Sequence, residues 1–405
     1  MKRVGILGGG QLGMLLSQSI VRLGAQAIIF DPDPSAPACR AVKHAINAAW
    51  DDQNALTSFF NQCDVVTYEF ENVPSTAVRQ FETTRSIYPN LSLLEKTQNR
   101  ILEKTFLKNC GLPYVNFTHV TDPKELPEAV RRLTFPIIAK SAVGGYDGKF
   151  QYLLNSEEET LNLSRELKRL PEANFSMTLE EVVDLKWELS CITARSKSHE
   201  EIAFPVFKNV HTDHILDTTT VPATIPADLK SKLLDISLDA ARKLELTGLL
   251  CTEFFVAATD EKKHTGVRLG DFTIYINEFA PRPHNSGHVT TSACSVSQYD
   301  ALARVLLNIP LSQPRMLAPG YFCMGNLLGD IWTKQGHGAR DELDLSALKT
   351  HPDIIEVVIY GKTEPKAKRK MGHLIAYAAS PEEAEAAVKR ARQSLSENVT
   401  RKALA

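Results

Sequence analysis

Residues 1–16 read MKRVGILGGGQLGMLL, and this stretch decides the architecture of the first part of the chain. Val4–Leu7 is an apolar run of strand length, the glycines after it permit a tight turn, and Gln11–Leu23 repeats its apolar residues at helical spacing. Gly8-Gly9-Gly10-Gln11-Leu12-Gly13 satisfies G-x-G-x-x-G, and Asp31 closes the next apolar run, Ala27–Phe30. That is the strand–turn–helix of a dinucleotide site, with its acidic residue ~20 positions on. An NAD-dependent dehydrogenase is therefore one reading of the opening. Working outward, Asp64–Tyr68 predicts a third strand, Asp51–Gln62 a helix, and Pro74–Phe81 a further helix begun by proline. The alternation predicts a small open parallel sheet with helices on its faces.

The bulk properties narrow the function. A chain of 405 residues has room for two or three domains, and 43% hydrophobic and 23% charged residues with net charge −2 favour neither nucleic acid nor a membrane surface as partner. No apolar run approaches the ~18–20 residues of a membrane span. Lys2-Arg3 before an apolar stretch mimics a secretory signal, but the glycines, Gln11 and Gln18 interrupt it, so a strand–turn–helix is the better reading. Seven scattered cysteines without a C-x-x-C pair predict reduced thiols in a cytoplasmic protein.

Beyond residue 95 the pattern changes. A helix over Lys96–Asn109 stops at Cys110-Gly111-Leu112-Pro113. A smaller unit follows: helix Pro123–Leu133, strand Phe135–Lys140, strand Phe150–Leu154, helix Glu157–Leu170 and strand Ser176–Val183. Strands dominate from Trp187 to Asn277 around the helix Ala227–Leu244, and Cys251–Ala258 and Val267–Ile276 read as antiparallel neighbours joined by Asp260–Thr265. After Pro310 come strands Ile354–Ile359 and His373–Ala378 and the helix Pro381–Ser396.

Several clusters can carry chemistry. The strand into Lys140 opens on a loop in which Gly144, Gly145 and Gly148 frame Tyr146, Asp147 and Lys149. Such a loop either cradles phosphate with its backbone N–H groups or is a hairpin with exposed charges. It is no Walker A loop, since Gly144 to Gly148 is one residue too short and no Ser or Thr follows Lys149. Glu253 and Glu278 each sit inside an apolar β-run. They either converge on Mg²⁺ or line the solvated face of a sheet. Ala280–His288 is dense in donors; its prolines and Gly287 argue against a helical zinc pair of His284 and His288, leaving an anion or substrate loop beside an ordinary polar one. Lys362, Lys366, Lys368, Arg369 and Lys370 form either a solvated loop or a set of cations for a phosphate. Glu69 follows the third strand and shares an edge with Gln11, where open α/β sheets bind ligands.

Lys140, the Gly144–Lys149 loop, Glu180-Glu181-Val182-Val183, Glu188, Glu253 and Asn277-Glu278 occur in the order of the ATP-grasp superfamily. Within it the chain resembles the 5-(carboxyamino)imidazole ribonucleotide synthase family. The motifs are Gly8–Gly13, Tyr68-Glu69-Phe70-Glu71-Asn72, Gly144–Gly148, Asn285-Ser286-Gly287-His288 and Arg369-Lys370-Met371-Gly372-His373, so the resemblance spans residues 8 to 373. It implies an ATP-grasp fold of α/β and α+β character: an N-terminal Rossmann-like pre-ATP-grasp domain over 1–98, an ATP-grasp domain over 99–310 with a lid at about 114–183, and a small C-terminal domain over 311–396. The implied reaction is ATP- and bicarbonate-dependent carboxylation of 5-aminoimidazole ribonucleotide through carboxyphosphate, releasing ADP and phosphate in purine biosynthesis. A cytoplasmic homodimer that hands its product to the following mutase is implied as well.

The resemblance also distributes roles. Arg100, Lys140, Gly145, Tyr146, Asp147, Gly148, Glu180, Glu181, Val182, Val183, Glu188, His211, Asn277 and Glu278 would bind ATP, and Glu253 and Glu278 would hold Mg²⁺. Gln11, Leu12, Glu69, His284, Asn285, Ser286, Lys362 and Arg369 would bind the ribonucleotide. Tyr146, Asp147, Lys149, Arg282 and Lys362 would serve the chemistry, with Asp147 orienting the amine or taking its proton. Two positions depart from the family pattern: Phe150 replaces a frequent glycine, and Lys366-Ala367-Lys368 replaces a proline- and glycine-containing turn. A dehydrogenase leaves the late carboxylates without a purpose. A formate-dependent glycinamide ribonucleotide transformylase shares the architecture but fits Tyr146-Asp147 and the His284–His288 loop less well, and the full set of ATP ligands disfavours a nucleotide-responsive binding module.

Overall fold

Short apolar runs need cover on both faces, and the first part of the chain supplies it by alternating them with helices. In the computed structural model, which describes residues 1–144, 151–168, 175–260, 265–333 and 343–402, Arg3–Leu7 lies between Gln26–Phe30 and Val65–Tyr68 in a five-stranded parallel sheet. His44–Ile46 and Ser86–Ile87, two strands too short to stand out in the sequence, form its edges. Gln11–Arg22 and Gln53–Gln62 pack on this sheet, the latter capped by Asp52, which accepts the Ala55 N–H at 2.9 Å.

Contact density divides the chain into two units, neither continuous in sequence: Met1–Leu91 with Ser190–Cys251 and Pro281–Ala405, and Ser92–Leu189 with Thr252–Ala280. In the first unit an antiparallel sheet sets Phe207–Thr212, Ile215–Val221, Tyr321–Leu328, Lys370–Ala378 and Ile354–Ile359 side by side. The helix Pro381–Lys402 buries Ala384, Val388, Ala391 and Leu395 in one cluster with Leu327, Leu374 and Ala376. Gly325 allows that approach, because a Cβ there would stand 2.2 Å from Val388 Cγ1.

The same unit contains a buried aromatic joint. His288 and His373 stack with ring centroids 4.4 Å apart at 13°. Tyr299 Oη lies 2.7 Å from His288 Nδ1, while Tyr360 Oη lies 2.8 Å from His373 Nδ1 and 3.2 Å from His288 Nε2. Burial keeps both imidazoles neutral, His288 far below its ordinary range and His373 down at about 3.

In the second unit Phe117–Val120, Met177–Glu181, Ile137–Ser141 and Gln151–Leu154 form an antiparallel sheet in that order. Leu126, Val130, Leu163 and Leu167 close its core over Ile137, Ala139 and Leu179. The register pairs Lys140 with Thr178, which puts Glu180, two residues along, diagonally across on the same face.

Four sequence expectations change. The helix expected over 96–109 is two helices, Leu91–Gln98 and Arg100–Asn109, because Asn99 turns out of the first and caps the second through the Ile101 and Leu102 N–H groups at 2.9 and 3.3 Å. The expected 74–81 helix is Ser75–Val78 followed by the tighter turn Arg79–Phe81. The expected 123–133 helix is three short pieces, started by an Asp122–Glu125 capping box. Val267–Ile276 is not one strand: the chain turns at Gly270, φ +56°, so Val267–Leu269 pairs with Phe272–Ala280, and the latter neighbours Gly248–Ala258. Among the described residues no helix is long and apolar enough to cross a membrane, and the seven cysteines are free thiols.

Two outcomes follow for stability. Gly8 adopts φ +100°, and a Cβ there would lie 2.6 Å from both Glu69 Cγ and Phe70 Cδ1, whereas Gly24, φ +79°, faces open space. Gly8→Ala should cost about 2 kcal/mol or more and Gly24→Ala about 1 kcal/mol in urea unfolding; equal costs would remove the steric argument. Free histidine titrates near ~6.5, whereas folded His373 resists protonation down to about 3. The folded state therefore binds fewer protons than the unfolded chain in that window, so stability present above ~6.5 is lost as pH falls toward 3. Urea midpoints measured across the window should decline, and less steeply for His373→Gln; an unchanged slope would sink the linkage.

Candidate active site

The glycine loop is already occupied by the chain itself. Asp31 Oδ2 accepts the Gly9 N–H at 2.6 Å, and the two oxygens of Glu69 accept the Gly10 and Gly13 N–H groups at 2.9 Å each. These are donors that a dinucleotide pyrophosphate would use at a helix start. Asp31, the candidate ribose ligand, also accepts the Asp33 N–H at 2.8 Å. Burial pushes the Glu69 carboxyl up while the Gly13 and Gly10 donors pull it back. The motif thus forms its strand–turn–helix without keeping its amides for NAD, and the dehydrogenase reading fails on that ground.

Around this loop the first unit gathers most of the expected ribonucleotide residues. Gln11 is half-buried and Leu12 buried at the helix start. Arg282 forms an ion pair with Glu71 and donates from Nη1 to Pro283 O at 2.9 Å. Burial works to raise the Glu71 carboxyl, but the Arg282 guanidinium overrides it and holds it at about 2. His284 is fixed at both backbone groups by Gln298, whose Oε1 accepts its N–H and whose Nε2 donates to its C=O, each at 2.8 Å. Its Nδ1 lies 2.8 Å from Ser286 Oγ. Gly287 makes room for Gln298, since a Cβ would meet Oε1 at 2.3 Å. Gln298 was invisible as a site residue in the sequence, where it is one polar position at the start of an apolar helix.

Ser286 is fully buried and turned inward, 3.1 Å from Ser190 Oγ, so its hydroxyl anchors the loop. Asn285 differs: its Oδ1 and Nδ2 are both buried without a hydrogen-bond partner. A buried amide left unpaired is costly, and a ligand is the natural remedy. Lys362 Nζ donates to Lys370 O at 2.8 Å and lies 5.6 Å from the Tyr360 ring centroid. Burial, with Arg369 adding to it, lowers the Lys362 ammonium to about 8, against a pull from Glu69. Arg369 Nη1 donates to Glu364 O at 2.8 Å. His211 stands half-buried at a strand bulge, also in this unit.

The second unit holds a denser cluster. Glu180 Oε2 is 3.0 Å from Lys140 Nζ and 3.3 Å from Lys104 Nζ. Burial would raise the Glu180 carboxyl, yet Lys104, Lys140 and Arg100 together hold it at about 2; burial lowers the Lys140 ammonium. Glu181 faces the other way and accepts from Asn116 Nδ2 at 3.0 Å and the Thr134 N–H at 2.9 Å, which makes it a support for its strand. Val182 donates its N–H to Pro136 O, Val183 packs beside Val115 and Tyr275, and Glu188 is half-buried in the next strand. Arg100 Nη1 meets Glu278 Oε2 at 2.8 Å. Glu103 and Lys104, absent from the sequence expectations, are 2% and 0% exposed, and burial followed by repulsion from Glu278 pushes Glu103 up to about 8. Their only sequence signal is charge on the apolar face of a helix. Gly145, Tyr146, Asp147, Gly148 and Lys149 lie outside the described residues.

Glu253 and Glu278 lie half-buried on neighbouring strands, and Asn277 Oδ1 beside Glu278 is buried without a partner. No group of three or more His, Cys, Asp or Glu side chains forms a metal cage among the described residues. Hard oxygen donors numbering too few for a cage suit Mg²⁺, which usually borrows further ligands from substrate phosphates. The residues present fit that ion.

Comparison with known proteins places this geometry. Residues 1–98 match the ribonucleotide synthetase preATP-grasp domain, 105–299 the ATP-grasp domain, and 323–387 the phosphoribosylaminoimidazole carboxylase C-terminal domain. The chain is 34% identical over 378 residues to an N5-carboxyaminoimidazole ribonucleotide synthase of Staphylococcus aureus, covering 92% of this chain and 91% of that one. It superposes on an ADP complex of such a synthetase with TM-score 0.84 and 35% identity, covering 96% of each chain. An Aspergillus clavatus enzyme in complex with ADP and 5-aminoimidazole ribonucleotide gives TM-score 0.82 and 26% identity, with 98% of this chain and 99% of that one covered. The chain belongs to the N5-carboxyaminoimidazole ribonucleotide synthase family of ATP-grasp ligases, enzymes of purine biosynthesis.

Proposed function

We propose that the second unit of this chain takes ATP, and that the Gln11, Glu69, His284, Asn285, Lys362 and Arg369 side of the first unit takes 5-aminoimidazole ribonucleotide. The observation that carries the nucleotide assignment is the convergence of Lys104 and Lys140 on the buried carboxylate of Glu180, with Arg100 on Glu278 nearby in the fold. The ADP and ribonucleotide held by relatives support both assignments. Bicarbonate, a poor electrophile, attacks the γ-phosphorus of ATP; the new O–P bond forms as the bond to the ADP oxygen breaks, giving carboxyphosphate. The exocyclic amine then attacks the carboxyl carbon, phosphate departs, and Asp147 receives the amine proton. Tyr146 holds the carboxyl donor, and Arg282 and Lys362 offset charge on the acyl phosphate. Lys362 and Arg369 take the ribonucleotide 5′-phosphate, and the unpaired amide of Asn285 gains its partners from the bound substrate. Glu253 and Glu278 would hold Mg²⁺, which when bound would neutralise charge on the transferring phosphoryl group. The carbamate product readily loses CO₂, which supports its hand-over to a mutase that moves the carboxyl to carbon. A cytoplasmic homodimer rests on the family resemblance, and light scattering of the purified protein tests the dimer.

ADP formation measured with each substrate omitted should require ATP, Mg²⁺ and the ribonucleotide together, with labelled bicarbonate entering the product. Equal turnover with formate and glycinamide ribonucleotide would move the chain to the transformylase reading. Asp147→Ala should keep ADP affinity while carboxylation falls by about 100-fold or more; unchanged turnover would remove its role.

The Lys362 ammonium, lowered to about 8, is charged below that pH and neutral above it. Phosphate binding needs the charged form, so kcat/KM for the ribonucleotide should fall as pH rises through about 8. Lys362→Arg, which stays protonated, should carry the plateau to higher pH even if its maximum is lower. An identical alkaline limb in that variant would contradict the assignment.

A further inference from the structure

We infer that Glu103 and Lys104 are positioning residues for Glu278, gripping the backbone on either side of it so that its carboxylate is held at the angle the nucleotide and its metal require. The inference rests on the ATP and Mg²⁺ assignment proposed above. Asn99 starts the helix Arg100–Asn109, which places Arg100, Glu103 and Lys104 at i, i+3 and i+4 on one face. That single turn addresses three consecutive residues of the strand Phe272–Ala280. Lys104 Nζ donates to Asn277 O at 2.9 Å, Arg100 Nη1 donates to Glu278 Oε2 at 2.8 Å, and Glu103 Oε1 accepts the Phe279 N–H at 2.6 Å.

The C=O of one residue and the N–H two positions on point to the same side of a strand, where a ladder partner normally takes them. Here the ionisable side chains of Lys104 and Glu103 take them instead, and both are buried. An apolar contact would join a helix to a strand with far less desolvation. A buried carboxyl and ammonium are suited to a different task, which is fixing direction. Lys104 also lies 3.3 Å from Glu180 Oε2, so one ammonium ties the segment carrying Glu278 to the side chain that Lys140 contacts. Glu278 itself is partly exposed, with 38% of its side chain open, so its own packing does not fix it.

The test uses Mn²⁺ in place of Mg²⁺, counting free Mn²⁺ by electron paramagnetic resonance against full-length protein saturated with ADP, and measuring metal-free ADP binding by calorimetry. Glu103→Ala should weaken Mn²⁺ binding by about tenfold or more, the loss typical of groups that orient a metal ligand, with metal-free ADP affinity little changed. Glu103→Gln, which keeps an oxygen for the Phe279 N–H, should restore most of it. In a Glu278→Gln background Glu103→Ala should have no further effect on Mn²⁺ binding, whereas a general structural loss would still weaken it. Unchanged Mn²⁺ affinity in folded Glu103→Ala, or equal losses of Mn²⁺ and metal-free ADP binding, overturns the inference. Unchanged affinity in Glu278→Gln alone overturns the metal assignment beneath it. If Glu103→Ala does not fold, Lys104→Met decides by the same Mn²⁺ criterion; if neither folds, both residues serve the fold and the inference is lost.

Discussion

A charged carboxylate at the depth of Glu180 persists only because cations surround it. Burial alone would protonate it, and Lys104, Lys140 and Arg100 prevent that by supplying more attraction than desolvation removes. The arrangement constrains the rest of the second unit. Lys140 must come from one strand in the register that sets it diagonal to Glu180, and Lys104 must come from a helix that begins where Asn99 caps it. Burial, followed by repulsion from Glu278, raises the Glu103 carboxyl to about 8, while Lys104, Lys140 and Arg100 face Glu180 and Glu278.

The first unit solves a related problem with the opposite sign. A glycine loop leading into a helix leaves N–H groups that attract anions. Here Asp31 and Glu69 fill that role from within the chain, so the loop becomes a rigid shelf whose own donors are spent. The same backbone shape that would hold a dinucleotide elsewhere instead presents Gln11 and its neighbours. The pattern of glycines reports the turn, and the residues that reach into it decide what it binds.

Much of this was legible in the sequence. The parallel strands, Lys140, Glu180 and the His284–His288 loop all carry local signals: apolar runs, glycines, or charge where charge is expensive. Family resemblance extended those signals to a reaction. What remained hidden depends on contacts between distant positions. Asn99 reads as one more helical residue until its side chain is seen capping the next helix. Ser286 and Asn285 are adjacent polar residues in sequence, yet one hydroxyl is bound inward by Ser190 and the other side chain has no partner. Glu103, Lys104 and Gln298 are ordinary polar letters whose partners, Phe279, Asn277 and His284, lie far along the chain or across a turn. Pattern reading finds residues whose neighbours in sequence explain them, and misses residues explained by neighbours in space.

The stacked imidazoles bear on inheritance. His288 belongs to the stretch matched by the ATP-grasp domain and His373 to the stretch matched by the C-terminal domain, and Tyr360 bonds to both. A recombination point in the connecting residues would look like a clean boundary between modules. It would nonetheless pair one lineage's His288 with another's His373 and Tyr360 in a buried joint. A C-terminal segment exchanged without the loop it stacks on would therefore have to rebuild this joint, despite their separation in the chain.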